Sequence, residues 1–338
     1  MSLENNKYSS CAVVGYGSWA TAIVKVLCEQ GAKVGWHIRN EEVVEGIISE
    51  GSNPKYLRDV EFDVSQLAIS SDINEIVENH DIIILATPSA YLKKTLEPLT
   101  ASLENKLVVS AIKGIISGDD EYLTVIEFIS KKYNVPFSQQ GIITGPSHAE
   151  EVALERLSYL TVVCPDIELA HTIGSKIECK YIQVQYSTDL YGVEYATVLK
   201  NIYAIAVGIA LGLGYGDNFV AVLIANCSRE MNNFLRAGCP DRRDTRESAY
   251  LGDLLVTCYS SYSRNRRLGL LMGKGFTIKS ALNEMTMVSE GYFAADCIRH
   301  VNTNKNEVPM PIASMVYDIL YKGAKARKAM KQLTKELI

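Results

Sequence analysis

In the first half of the chain, hydrophobic residues gather into short, nearly unbroken runs separated by segments with helical spacing. Residues 11–14, 33–37, 81–87 and 107–111 are such runs, rich in Val and Ile, as expected of strands buried on both faces. Between them, residues 22–30 and 41–49 place apolar side chains at helical steps. Strand, helix and strand in repetition predict a parallel, doubly wound sheet. Residues 140–144 and 158–164 extend the β-rich region past residue 160. The period changes after about Ser187. Residues 188–213 and 219–237 are long helical runs, the second carrying Val220, Leu223, Ile224, Cys227, Met231, Phe234 and Leu235 at three- and four-residue steps. Residues 278–283 and 291–301 continue the helical half, with no convincing strand.

A glycine turn opens this alternation. Gly15-Tyr16-Gly17-Ser18-Trp19-Ala20 fits G-x-G-x-x-G/A, directly after the first strand and before an apolar helical segment. The first glycine permits a tight turn, the second lets backbone approach a pyrophosphate, and Ala20 allows helix to pack on strand. The helix N-terminus offers N–H groups and partial positive charge to phosphate. A dinucleotide, NAD or NADP, is the expected cofactor. An acid at the end of the second strand would bind the ribose 2′-hydroxyl, but here the chain reads His37-Ile38-Arg39-Asn40, with no acid before Glu41. Arg39 could meet a 2′-phosphate, which favours NADPH; the alternative is a solvated loop arginine. The expected fold is thus α/β, an N-terminal Rossmann-like doubly wound sheet over 1–187 followed by an all-helical C-terminal domain over 188–338. The ligand cleft is expected between them.

Composition narrows the partners. With 34 Lys and Arg against 39 Asp and Glu, the net charge is −5, unsuited to holding a nucleic-acid backbone by bulk charge. An anionic ligand would need local cations. The eight cysteines form no C-x-x-C pair, so neither a zinc knuckle nor a thioredoxin-like motif is suggested; they read as reduced, mostly buried thiols of a cytoplasmic protein, and no metal is expected. Residues 1–10 lack the apolar core of a signal peptide. The longest uncharged run, residues 201–216, is shorter than a bilayer requires and holds four glycines, so no membrane span is expected.

Three segments carry candidate chemistry. Lys113 lies just beyond the carboxyl end of a predicted strand, the edge where open α/β sheets bind ligands, although a lone lysine there can equally be a surface charge. Lys200-Asn201 sits inside an apolar helical run. A buried ammonium is costly and its pKa is pushed down, which suits a group that gives a proton to a carbonyl oxygen; snorkelling to solvent is the bland alternative. Ser263-Arg264-Asn265-Arg266-Arg267 packs three guanidinium groups into five residues, a plausible phosphate site in an acidic chain or else a solvated basic turn. Just upstream, Asp253 interrupts an apolar segment and wants a partner, with Lys200 the obvious candidate.

Together these segments resemble the bacterial NAD(P)-dependent glycerol-3-phosphate dehydrogenase family. The matching stretches, in family order, are residues 15–22 (GYGSWATA), 53–57 (NPKYL), 111–114 (AIKG), 145–152 (GPSHAEEV) and 199–205 (LKNIYAI), then 216–218 (GDN), 251–258 (LGDLLVTC), 263–269 (SRNRRLG) and 288–292 (VSEGY). GDLLVTC followed closely by SRNRR is the most specific. The resemblance implies that Gly15, Gly17, Ser18, Trp19, Arg39, Ala149, Val288 and Glu290 contact the dinucleotide. Lys113 would lie near both nicotinamide and substrate, and Gly145 and Ser147 would line the substrate pocket. Lys200 would be the general acid/base, with Asp253 completing the pair, and Lys200, Asn201 and Asp253 would also contact the substrate. Ser263, Arg264 and Asn265 would hold the substrate, Arg264 also reaching the cofactor. The implied activity reduces dihydroxyacetone phosphate to sn-glycerol 3-phosphate, reversibly, for glycerophospholipid synthesis, in a cytoplasmic homodimer. The chain departs from the common family pattern at Leu211, where an acid is frequent, and at Asn226-Cys227, where Arg-Gly is usual, positions that bear on helix packing and the far edge of the pocket.

Two rivals remain open at this stage. A 3-hydroxyacid or 6-phosphogluconate type dehydrogenase would share the Lys–Asn helix but need a site for a substrate carboxylate. A non-catalytic NAD(P)-sensing module would need the glycine turn but no proton donor in the helical half.

Overall fold

The computed structural model describes residues 7–117, 121–285 and 289–338. Its contacts divide the chain into two units, Met1–Ile112 with Val125–Leu190, and Lys113–Thr124 with Tyr191–Ile338.

The first unit is built on an eight-stranded sheet: β1 Cys11–Val14, β2 Val34–His37, β3 Leu67–Ser70, β4 Ile82–Leu85 and β5 Leu107–Ser110, continued by β8 Gln140–Thr144, β9 Ser158–Val163 and β10 Ile182–Ser187. (β6 Ile116–Ser117 and β7 Tyr122–Leu123 pair apart from it.) The order is β10-β9-β8-β5-β4-β1-β2-β3, parallel throughout except where β8 meets β9. The central strands β1, β2, β4 and β5 are buried along their whole length, since helices cover both faces of such sheets. Their registers align Val14 with His37 and Leu85, and Leu85 with Ser110. Four carboxyl ends therefore finish in one row.

The local readings need several adjustments. The first helix is Ser18–Cys28 rather than 22–30, because it begins inside the glycine motif. The strand expected over 81–87 is shorter, and the helix expected over 41–49 is Glu41–Glu50, with Asn40 as its N-cap. The edge strands β3 and β10 were not expected. Neither were the helices Ile73–Asn79, Val125–Tyr133 and Ile167–Ile177.

In the second unit, residues after Ser187 are free of strands among those described, yet the unit is not wholly helical. It includes the antiparallel pair β6–β7, which lies in the stretch Lys113–Thr124 that a contiguous first domain over 1–187 would have claimed. Contacts that tie that stretch down include the bond from Asn201 Nδ2 to the Lys113 carbonyl at 2.9 Å, the stacking of the Tyr122 ring on His300 at 4.5 Å, and the Tyr122 hydroxyl donating to Asp296 at 3.4 Å.

The core of this unit is helix Leu190–Gly212, apolar on nearly every side. Its length and composition would suffice to cross a membrane, but its residues are mostly buried within the protein. Helix Asp217–Gly238 follows it, and here Asn226 exchanges two hydrogen bonds with the main chain of Ile338 while Cys227 is buried. Helix Arg264–Gly273 crosses Leu190–Gly212 with backbones in close contact. A methyl group added at Gly269 would land on the Ile205 carbonyl, and one at Gly273 would lie 2.8 Å from Gly212 Cα. Only hydrogens fit in this crossing. Overpacking a tight contact typically costs about 1–3 kcal/mol, so Gly269→Ala is expected to lower unfolding free energy in urea by about that amount.

Candidate active site

The glycine turn in the first unit is held open by its neighbours. Gly15 takes φ +126°, and a Cβ there would sit 2.5 Å from the Ala86 carbonyl oxygen, so only glycine serves. Its carbonyl accepts from the Trp36 indole at 2.7 Å, and its N–H donates to the His37 carbonyl at 3.2 Å. Asn53, fully buried, donates to the Tyr16 carbonyl and to Thr21 Oγ1, both at 2.9 Å. That brace explains the NPKYL stretch, to which the residue pattern alone had given no role.

Beside Gly17 the space is empty: an added Cβ would meet nothing within 4 Å. Gly17 caps helix Ser18–Cys28 with no side-chain bond, and no acid stands in the first turn. Open room, uncapped N–H groups and a helix dipole fit a dinucleotide pyrophosphate. Ser18 is buried at this terminus. The Trp19 side chain instead lines a small apolar cavity with Ile23, Ile143, Val152 and Leu160, leaving its main chain at the helix N-terminus. At the end of β2, Arg39 is exposed, and His37 is buried with its pKa lowered, chiefly by that burial. Gly145, Ser147 and Ala149 follow β8; Ser147 Oγ donates to the Gly145 carbonyl at 3.1 Å, and Ala149 opens a short helix.

The second unit gathers the lysines. Lys200 is 3% exposed in the middle of helix Leu190–Gly212, and Asp253 is 1% exposed. Lys200 Nζ donates to Asp253 Oδ1, while Lys113 Nζ stands 3.6 Å from Asp253 Oδ2. Two ammonium groups thus share one carboxylate. Burial pushes the Lys200 pKa down to about 7; Asp253 opposes the shift and Lys113 adds to it. Asp253 enters from a π-helical turn, Ser248–Gly252, which runs straight into helix Asp253–Tyr259. One turn later, buried Thr257 donates its hydroxyl to the Asp253 carbonyl at 2.6 Å.

Ser263 caps helix Arg264–Gly273 by accepting from the Arg266 N–H, and the first turn carries no acid. Arg264 is half-buried at this end, and a guanidinium beside an acid-free helix N-terminus suits an anion. Asn265 points inward and donates to Asn201 Oδ1 at 2.8 Å. Lys113, Lys200, Asn201, Asp253 and Asn265 are thereby brought together, with Ser263 and Arg264 adjoining along the helix. Gly15, Gly17, Ser18, Trp19, Arg39, Gly145, Ser147 and Ala149 belong to the first unit. Glu290 begins helix Glu290–Val301, and Val288 lies outside the described residues. Sequence reasoning missed Asn53 and Ser289, whose buried hydroxyl bonds Asn265 at 2.7 Å.

Comparison with known proteins agrees along the length of the chain. Residues 10–170 match the family described as NAD-dependent glycerol-3-phosphate dehydrogenase N-terminus, and residues 189–331 match the corresponding C-terminus. A glycerol-3-phosphate dehydrogenase [NAD(P)+] of Staphylococcus carnosus is 31% identical over 328 residues, covering 96% of this chain and 97% of that protein. Another from Chlorobium limicola is 32% identical over 323 residues, covering 95% and 96%. The crystal structure of glycerol-3-phosphate dehydrogenase from Coxiella burnetii superposes with a TM-score of 0.88 at 27% identity, over 97% of this chain and 99% of that one.

The buried lysine makes stability depend on pH. Because its folded pKa lies below the unfolded value, the unfolded chain holds a proton above about pH 7 that the folded chain lacks. Stability contributed by this group therefore rises with pH from about 7 upward and is lost as pH falls through about 7. Urea unfolding between about pH 7 and pH 8.5, before most thiols and phenols ionise, should show a more positive slope of unfolding free energy against pH in the native chain than in Lys200→Met.

Proposed function

The chain belongs to the NAD-dependent glycerol-3-phosphate dehydrogenase family, and from that premise we propose that Lys200, Asp253 and Lys113 form the proton-handling centre of its reaction. It is an NAD(P)-dependent oxidoreductase interconverting dihydroxyacetone phosphate and sn-glycerol 3-phosphate. The observation that carries the assignment of roles is the buried ammonium–carboxylate pair with a second ammonium on the same carboxylate.

The nicotinamide, when bound, supplies or accepts the hydride. The protein's residues do the rest. Ser263 and Arg264, at an acid-free helix N-terminus, hold the substrate phosphate. Asn265 keeps one amide hydrogen beyond its bond to Asn201 and turns it to the substrate. Lys200 protonates the alkoxide oxygen as the ketone is reduced, and removes that proton in reverse. Burial makes it a stronger acid than an ordinary lysine. Asp253 holds the Lys200 ammonium in place, and Lys113 places positive charge where the oxyanion forms.

Gly15, Gly17 and Ser18, with the Trp19 main chain, receive the cofactor pyrophosphate; Ala149, Val288 and Glu290 contribute further cofactor contacts, and Gly145 and Ser147 border the substrate. Arg39, exposed where an acid would select NAD, favours NADPH by pairing with its 2′-phosphate. The enzyme works as a homodimer in the cytoplasm and supplies sn-glycerol 3-phosphate for glycerophospholipid synthesis.

Loss of reduced-nicotinamide absorbance with dihydroxyacetone phosphate tests these roles. Lys200→Met should lower kcat by about 10³-fold, within the usual range for removing a general acid, while binding of the reduced cofactor, followed by its fluorescence, stays near normal. The native rate of ketone reduction should fall as pH rises through about 7, as Lys200 loses its proton, and NADPH should give the higher kcat/KM. Turnover of Lys200→Met within a few-fold of native would remove the proposed role.

A further inference from the structure

A run of buried hydrogen bonds in the second unit joins three segments far apart in sequence. Ser289 Oγ donates to Asn265 Oδ1 at 2.7 Å, and the Gly291 N–H donates to the same oxygen at 2.9 Å. Asn265 Nδ2 donates to Asn201 Oδ1 at 2.8 Å. Asn201 Nδ2 then donates to the carbonyls of Lys113 at 2.9 Å and Thr197 at 3.1 Å. Ser289, Asn265 and Asn201 are all buried.

The direction of this run is fixed at both ends. A backbone N–H can only donate, so the Gly291 amide requires the oxygen of Asn265 and turns its nitrogen toward Asn201. Two backbone carbonyls can only accept, so they require the nitrogen of Asn201 and turn its oxygen toward Asn265. Both amide hydrogens of Asn201 are then spent on protein carbonyls. Asn201 is left to position rather than to bind.

Ser289 gives up a local role to take part. It is the N-cap residue of helix Glu290–Val301, but its side chain makes no cap bond, although a serine there normally stabilises the helix by satisfying a first-turn N–H. Its hydroxyl goes to Asn265, whose oxygen satisfies the Gly291 N–H in its place. The close seat of this helix on the Lys200 helix, where a Cβ at Gly291 would lie 2.5 Å from the Asn201 carbonyl oxygen, keeps the run short.

We propose that Ser289 is a positioning residue of the reaction: through Asn265 and Asn201 it fixes the Lys113 main chain, and with it the Lys113 ammonium beside Asp253. The proposal rests on the roles given above to Lys113, Lys200 and Asp253. It has a signature that simple packing would not produce. Lys113 helps to make Lys200 acidic, among neighbours that also include Asp253 and the Cys258 thiol. Loosening Lys113 weakens that influence, so Lys200 becomes a weaker acid.

The test compares pH profiles of ketone reduction with saturating NADPH. Ser289→Ala keeps the Gly291 bond and the backbone; kcat/KM for dihydroxyacetone phosphate should fall about fivefold, the effect of one buried hydrogen bond, and the decline with rising pH should move to higher pH. Ser289→Thr, which restores a hydroxyl, should return that decline toward its native position. In a Lys113→Met background, Ser289→Ala should displace it no further. An unmoved pH profile in Ser289→Ala, or an equal displacement without Lys113, would overturn the proposal while leaving the Lys200 assignment standing. Native-like turnover of Lys200→Met would instead remove the reading beneath it.

Discussion

Everything in the second unit is arranged around a charge that its surroundings disfavour. An ammonium in the middle of an apolar helix loses its hydration, and the cost is met only in part by one carboxylate. Asp253 holds Lys200 directly, yet it also faces Lys113, so the cluster carries more positive than negative charge. Replacing such a cluster with well-packed apolar residues often stabilises a protein. Its presence in a core with Ala, Val and Ile on most sides is therefore better explained by chemistry than by folding. The excess positive charge is useful where a phosphorylated ketone must bind and its oxygen must become an alkoxide.

Placing those charges demands rigid supports, and the structure supplies three. The glycine crossing brings helix Arg264–Gly273 against the Lys200 helix at backbone contact, which sets Asn265 within reach of Asn201. The π-helical turn before Asp253 delivers the carboxylate from the start of a new helix, and widened turns of this kind are frequent at functional sites. The asparagine pair then reaches across to the loop that bears Lys113. In the first unit, Asn53 and Trp36 do comparable work for the glycine turn.

Much of this was legible in the sequence, for reasons that can be stated. The central strands announce themselves because burial on both faces forces continuous apolar runs. The edge strand β10 (IQVQYS) does not, since its glutamines meet solvent and polar residues dilute the pattern, and β3 (LAIS) is four residues long with only Leu67 fully buried, too short a run to stand out. The Lys200 helix stood out by length and hydropathy, and a lone Asp in GDLLVTC suggested its partner. What could not be read were relations between distant residues. Nothing in the pattern tells that residues 113–117 and 121–124 pack with the helical unit, that Ser289 forgoes capping its own helix, or that Asn53 braces a turn more than thirty residues earlier. Those depend on three-dimensional neighbours, and polar side chains carry no periodic signal. The family resemblance supplied roles for Lys113, Gly145 and Ser147 that spacing alone did not.

The most direct test of the central claim is the ionisation of Lys200 itself. With lysine side chains isotopically labelled, and Lys200→Arg used to assign the signal, the chemical shift of the ε-methylene can be followed against pH. The account predicts a lysine titrating near pH 7, well below its ordinary range. A Lys200 signal that keeps its charge up to the ordinary lysine range, about pH 10.4, would contradict it.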